Sequence, residues 1–106
     1  MEKPWRIAKF FKWHFLKIKV SVELYGATKD LSKNNFLELE VKKNSSIKDI
    51  KIQILEFIEK NFNGNQNLKK LVQSSAFCSE EDEIISENYK INDNQVIGII
   101  PPIGGG

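Results

Sequence analysis

The residues best placed to do chemistry are the last ones of the chain, where prolines and an isoleucine precede three glycines. Pro101, Pro102, Ile103 and residues 104–106 follow directly on an apolar run. Glycine adds little stability, because it loses much backbone freedom on ordering and has no side chain to pack. A terminus without Cβ atoms does, however, fit a narrow channel in a partner. The pattern predicts that the Gly106 carboxylate is presented to an enzyme.

The prolines favour this interpretation over a frayed tail, the usual state of a chain end. Each proline fixes its own φ and restricts the residue before it to extended backbone, so the base of the arm is stiff while its tip is bare. A carboxylate is a poor electrophile and must be activated before anything can replace its oxygen. We therefore expect a chain that is not catalytic alone and is acted on by an activating enzyme.

Side chains elsewhere in the sequence form no recognisable catalytic or metal-binding pattern. Cys78 is the single cysteine and His14 the single histidine. One thiol excludes an internal disulfide, leaves too few ligands for a zinc site, and suits a reducing cytoplasm. The contiguous carboxylates of residues 80–83 are typical of a solvated acidic loop. We expect no bound metal or cofactor.

The tail Pro101-Pro102-Ile103-Gly104-Gly105, placed after a hydrophobic strand, resembles the C-terminus of the small subunit of molybdopterin synthase and related ubiquitin-like sulfur carriers. The order of elements resembles that family from Leu16 to Gly106, although only the tail is a specific motif. The resemblance implies a β-grasp fold in which the first and last strands pair in parallel. It also implies that a partner uses ATP to adenylate the last glycine, and that persulfide sulfur then replaces AMP to give a thiocarboxylate.

By this resemblance Gly106 carries sulfur for molybdenum cofactor biosynthesis, Gly104 and Gly105 thread a channel, and Pro101 and Pro102 set the exit angle of the arm. The implied partners are the molybdopterin synthase large subunit and an adenylyltransferase of the ubiquitin-activating type. The chain departs from the family in its third glycine, which lengthens the tail by roughly 3.5 Å when extended.

Three other functions remain open. The chain could be a protein modifier joined to lysines of target proteins through its terminal glycine, or a sulfur carrier of the thiamine pathway. The two prolines favour the molybdopterin branch over the thiamine branch. The third alternative is a β-grasp interaction module whose terminus is never activated.

Length and composition predict one soluble, cytoplasmic domain. The chain has 106 residues, of which 41% are hydrophobic and 28% charged, as in globular proteins. No apolar run approaches the roughly 18 residues that a membrane span needs. Residues 1–17 carry five basic and one acidic side chain, against 11 and 13 in the remainder. The positive charge thus lies outside the predicted domain, which disfavours nucleic-acid binding.

Residues 1–15 form a basic, aromatic extension before the domain of residues 16–100 and the tail of residues 101–106. Basic residues recur at every third position with aromatic residues between them, which suits a short amphipathic helix. We favour packing of these aromatics on the domain. A membrane-surface helix and a cleaved targeting segment are the alternatives.

Periodicity predicts an α+β domain with a mixed sheet of about five strands and one main helix packed on one face. Residues 16–24 and 37–41 alternate between apolar and polar side chains, which indicates an antiparallel hairpin. A helix is expected from Ser45 or Ser46 as N-cap to about Asn61. Residues 68–72 fit either a helical turn or a strand. Further strands are predicted at residues 75–78, 84–85 and 96–100.

The last strand should present its two faces to different surroundings. If Ile97 and Ile99 point to the core, then Val96, Gly98 and Ile100 point outward. Gly98 would leave a flat apolar patch beside the tail, and patches of this kind mark partner sites. The sequence therefore predicts partner binding through these three outward residues together with the tail.

Overall fold

Strand β1 (Lys17–Leu24) lies inside the sheet, and its alternating side chains separate two faces. In the computed structural model, which describes residues 17–102, the side chains of Ile18, Val20, Val22 and Leu24 are buried. The strand predicted from this alternation is confirmed. Leu16 and the N-terminal extension lie outside the described residues, as does the tail from Ile103 onward.

Strand β2 (Phe36–Lys42) pairs antiparallel with β1, in a register that runs from Lys17 opposite Lys42 to Glu23 opposite Phe36. The predicted hairpin is confirmed. The connection between the two strands contains a 3₁₀ helix, Gly26–Leu31. That helix buries Leu31, which is part of the hydrophobic core.

Strand β7 (Gln95–Ile100) lies beside β1 and runs parallel to it. On its other side β7 pairs antiparallel with β4 (Ala76–Cys78), which pairs with β5 (Ile84–Ile85). The strand order is therefore β2-β1-β7-β4-β5. This mixed sheet with a parallel central pair is the arrangement that the resemblance implied.

Helix α1 (Ile47–Asn61) covers one face of the sheet. Ser46 is the N-cap: its Oγ accepts a hydrogen bond from the Asp49 N–H at 3.2 Å, and the Asp49 carboxylate accepts one from the Ser46 N–H at 3.0 Å. The hydrogen bonds that the Ser46 N–H and the Ser46 hydroxyl donate to the Asp49 carboxylate lower the pKa of Asp49. The helix ends at Asn61, and Gly64 in the turn beyond it has a φ of +65°, which suits glycine, and donates its N–H to the Ile58 carbonyl at 3.2 Å. Both boundaries agree with the prediction.

Residues 68–72, which by sequence fit either a helical turn or a strand, are helical. Helix α2 (Gln66–Ser74) begins at Asn65, whose Oδ1 accepts a hydrogen bond from the Leu68 N–H at 3.1 Å. Val72 is fully buried against the core. An asparagine cap and one buried face therefore decide in favour of the helix over the strand.

A second, two-stranded sheet was not predicted. Strand β3 (Ser45–Ser46) pairs antiparallel with β6 (Lys90–Ile91), just before helix α1. Two residues are too short for a periodic pattern, and only the pairing shows why Ile91 is fully buried. Across the described part of the chain, no helix is long and apolar enough to cross a membrane.

Candidate functional site at the root of the tail

The parallel pairing of the central strands decides where the tail begins. Because β1 and β7 run in the same direction, with Leu24 opposite Ile99, both strands leave the sheet at the same edge. Tyr25 and Gly26 follow β1 at this edge, and Pro101 follows β7. The site is therefore built from the first turn after β1 and the last residues of β7.

Gly26 packs against Pro101, the first residue of the tail. Its φ is +56°, and a Cβ added there would lie 3.0 Å from Cγ of Pro101. Any other residue would therefore be strained in backbone and would push against the proline ring. Pro101 is half-buried, whereas Pro102 is exposed. The tail thus leaves the domain from a packed root.

Gly98 faces away from the helix, as predicted, but it is not an exposed flat patch. A Cβ added at Gly98 would lie 2.8 Å from Sγ of Cys78 and 2.9 Å from Cε2 of Tyr25. Both side chains lie on the open face of the sheet and bury the glycine. The prediction of an open patch at Gly98 is wrong, because Tyr25, remote in sequence, covers it.

The remaining residues of β7 divide between the faces as expected. Ile97 and Ile99 are fully buried in the core, which confirms that part of the prediction. Val96 and Ile100 are half-buried on the open face. Ile100 adjoins Pro101 at the tail end of β7, whereas Val96 lies near the start of the strand.

The open face also presents apolar side chains that the sequence analysis did not single out. The strand register aligns one row across the sheet at the level of Gly98, consisting of Phe36, Glu23, Gly98, Cys78 and Ile84. Of these, Phe36 is 36% exposed and Ile84 is 66% exposed, and Tyr25 above the row is 38% exposed. Phe36 was detectable, since it occupies an outward position of an alternating strand.

The two ionisable groups that cover Gly98 are both held in their neutral forms. Interaction of the Tyr25 hydroxyl with the Glu23 carboxylate raises the pKa of Tyr25. Burial raises the pKa of the Cys78 thiol. A thiol with a raised pKa is a weak nucleophile, so Cys78 is suited to packing and not to attack. Within residues 17–102, no three His, Cys, Asp or Glu side chains are grouped so as to hold a metal ion.

The acidic loop of residues 80–83 contacts β7 near the start of the strand, at the end opposite the tail. The Ser79 hydroxyl accepts hydrogen bonds from the N–H groups of Glu81 and Glu83, which orders the loop. Oε1 of Glu80 accepts a hydrogen bond from the Val96 N–H at 3.1 Å, near the start of the strand. The Glu80 carboxylate therefore ties the loop to the start of β7, whereas the Asp82 carboxylate lies close enough to Tyr25 and Cys78 to help raise their pKa values.

No family model and no curated protein matches this sequence. Solved structures do match the fold. A putative molybdopterin converting factor subunit 1 from Pyrococcus furiosus matches with a TM-score of 0.60 and 18% identity, over 81% of this chain and 99% of that one. A chain from the complex of subunits 1 and 2 of molybdopterin-converting factor from Helicobacter pylori 26695 matches with a TM-score of 0.51 and 27% identity, over 84% and 100%. Ubiquitin from Caldiarchaeum subterraneum matches with a TM-score of 0.53 and 15% identity, over 85% and 99%.

These neighbours agree with the topology that the strands establish. This chain combines a central parallel strand pair with a helix on one face of the sheet. Its C-terminal residues follow directly on β7. The predicted fold is confirmed. The protein is a ubiquitin-like β-grasp domain that resembles molybdopterin converting factor subunit 1.

Proposed function

We propose that the protein is a sulfur carrier, the small subunit of a molybdopterin synthase, which donates sulfur from a thiocarboxylate on Gly106 to molybdenum cofactor synthesis. One observation supports this most directly. The contact between Gly26 and Pro101 holds the root of a glycine-rich arm at the edge of the sheet, beside the apolar residues of its open face. A packed root with a side-chain-free tip suits insertion into a partner.

The loading chemistry requires activation by a partner enzyme of the ubiquitin-activating type. The Gly106 carboxylate attacks the α-phosphorus of ATP, pyrophosphate leaves, and an acyl-adenylate forms. The terminal sulfur of a persulfide then attacks the acyl carbon and AMP leaves. A thiol cleaves the S–S bond of the resulting acyl disulfide, which yields the thiocarboxylate and a new disulfide. This chain contributes the acyl group and the arm that delivers it.

The open face is the surface that would dock on the large subunit and on the adenylating enzyme. Phe36, Tyr25, Ile84 and Ile100 provide apolar area at the tail end of this face. Interfaces are enriched in aromatic side chains at their centres. The Helicobacter pylori neighbour is a complex of subunits 1 and 2 of molybdopterin-converting factor, which supports a large subunit as partner.

The test is intact-mass analysis of the protein purified from its native host, with and without its adenylating partner. We expect a species heavier by one oxygen-to-sulfur exchange only when the partner is present. Replacing Gly105 by valine should abolish this species, because a Cβ blocks a narrow channel. The matched variant Asn67→Val changes an exposed helical residue away from the tail and should load normally. An unmodified mass in every sample would refute the proposal.

The second candidate is a protein modifier, which the similarity in fold to an archaeal ubiquitin favours. It shares the adenylation step and differs in the nucleophile, a lysine amine in place of persulfide sulfur. Covalent adducts between Gly106 and lysines of other proteins, with no sulfur gain, would establish it. A terminus that can be deleted without losing molybdoenzyme activity would instead indicate an interaction module.

A further inference from the structure

The turn after β1 is held by a buried threonine. The Tyr25 N–H donates a hydrogen bond to Oγ1 of Thr28 at 3.0 Å, and that hydroxyl donates to the Tyr25 carbonyl at 2.5 Å. The Thr28 N–H also bonds the Tyr25 carbonyl at 3.2 Å. Thr28 is fully buried. The backbone of Tyr25 therefore has little freedom, and its side chain starts from a fixed position.

From this position Tyr25 reaches back over the sheet. Its Cε2 lies 2.9 Å from the point where a Gly98 Cβ would be, so the ring lies directly against the backbone of β7. The ring remains 38% exposed, which leaves part of it open to a partner. Glu23, on the same face of the sheet, interacts with the hydroxyl. The ring thus covers the strand two residues before Ile100.

The next residue contacts the tail itself. Gly26 lies against the ring of Pro101, at 3.0 Å from Cγ to the position of a Cβ. Two consecutive residues therefore contact the chain on both sides of Ile100, Tyr25 at Gly98 within β7 and Gly26 at Pro101 just after the strand. We call Tyr25 and Gly26 the corner.

We propose that Tyr25 is a positioning residue, which with Gly26 sets the direction in which Pro101 and Pro102 leave the sheet. The effect on loading rests on the proposed function; the effect on the tail root does not. A root that is already oriented reduces the ordering that binding must impose, and preorganisation of this kind raises affinity. Losing it should raise the KM of the adenylating enzyme for this protein about fivefold to thirtyfold, the equivalent of ordering about one residue, and leave kcat unchanged.

The experiment uses the full chain, labelled with ¹⁵N and ¹³C. For Tyr25→Ala we expect shifted ¹³Cα resonances of Pro101 and Pro102 and faster amide exchange at Ile100. Tyr25→Phe keeps the ring and should restore the wild-type values. Tyr89→Ala removes another exposed tyrosine, outside the corner, and should change none of these signals. Gly26→Ala places a Cβ against the Pro101 ring and should therefore also shift the ¹³Cα resonance of Pro101.

The KM measurement with the adenylating enzyme and ATP follows on the same variants. A raised KM in both Tyr25→Ala and Gly26→Ala, with wild-type kcat and rescue of the first by Tyr25→Phe, supports positioning, because Gly26→Ala removes no apolar side chain from the docking surface. Unchanged proline shifts in both Tyr25→Ala and Gly26→Ala would overturn the inference, and so would altered shifts with an unchanged KM. If the wild-type protein is not adenylated at all, the proposed function fails, while the resonances of Pro101 and Pro102 still decide whether the corner orients the tail root.

Discussion

The two faces of strand β7 are buried in different ways. On the face toward helix α1, Ile97 and Ile99 are fully buried among side chains of the helix and of β1. On the open face, Gly98 is buried only by Tyr25 and Cys78, and its neighbours Val96 and Ile100 remain half-buried. One face is closed by a whole element and the other by two side chains.

This difference separates stability from recognition. The covered face removes large aliphatic side chains from water, which is the main favourable term in folding. The open face keeps apolar area accessible beside the tail root, at Phe36, Tyr25 and Ile84. Substitutions on the covered face should therefore cost stability, and substitutions on the open face should mainly alter the geometry that a partner meets.

The largest effect is expected for Ile54→Ala on the covered face. Ile54 is fully buried, so truncation removes transfer free energy and leaves a cavity, at a cost of about 2–5 kcal/mol in the free energy of unfolding. Ile52→Ala is the matched control, since it makes the same change in the same helix at a side chain that is 46% exposed. We expect it to stay within about 0.5 kcal/mol of wild type in urea unfolding. Equal losses for both variants would contradict the burial of this face.

Gly98→Ala should have an intermediate effect on the open face. The new Cβ would meet Sγ of Cys78 and the Tyr25 ring at under 3.0 Å, and overpacking of this kind costs about 1–3 kcal/mol. Replacing a strand glycine regains about 0.5–1 kcal/mol, so we expect a net loss of up to about 2.5 kcal/mol. Part of that loss should disappear in the Tyr25→Ala background, because the ring is then absent. A double-mutant cycle by urea unfolding measures this coupling, and additive losses would mean that the ring does not cover Gly98.

A smaller effect is expected from Ser46→Ala, which weakens the element that closes the covered face. It removes the hydroxyl that accepts the Asp49 N–H, and losing such a cap costs about 1 kcal/mol. Ser86→Ala, an exposed serine outside the helices, should be neutral. The midpoints of urea unfolding compare the two. A neutral Ser46→Ala would show that the cap contributes nothing to the stability of helix α1.

The smallest effect concerns the charge state of the open face. The folded pKa of Tyr25 is raised above its ordinary value of 10.0, first through its interaction with Glu23. The resulting stabilisation is fully present below the unfolded pKa and is lost as pH rises through the folded one. Tyrosinate absorbance, followed in a Tyr89→Phe variant so that only Tyr25 contributes, should show the raised pKa of Tyr25, and Glu23→Gln should lower that pKa. An unchanged titration curve in Glu23→Gln would exclude the interaction.

Local periodicity was enough to predict most elements of the domain. The alternation of β1 and β2 and the isoleucine stripe of helix α1 follow from side-chain spacing, because strands repeat every two residues and helices every 3.6. The N-cap at Ser46 and the end of the helix near Asn61 are likewise local signals. The stiff proline root and the bare glycine tip are visible in the same way, as is the division of Ile97 and Ile99 from Val96, Gly98 and Ile100.

What the sequence could not determine are contacts between residues far apart in the chain. The cover of Tyr25 over Gly98, the packing of Gly26 on Pro101 and the pairing of β3 with β6 all join segments more than 40 residues apart. No spacing rule encodes such contacts, since they depend on which strands pair and in which direction. The family resemblance implied the parallel pairing of β1 with β7, but no side-chain spacing encodes it. That pairing brings Tyr25 and Gly26 to the tail root, and only the tertiary structure decided which contacts they make there.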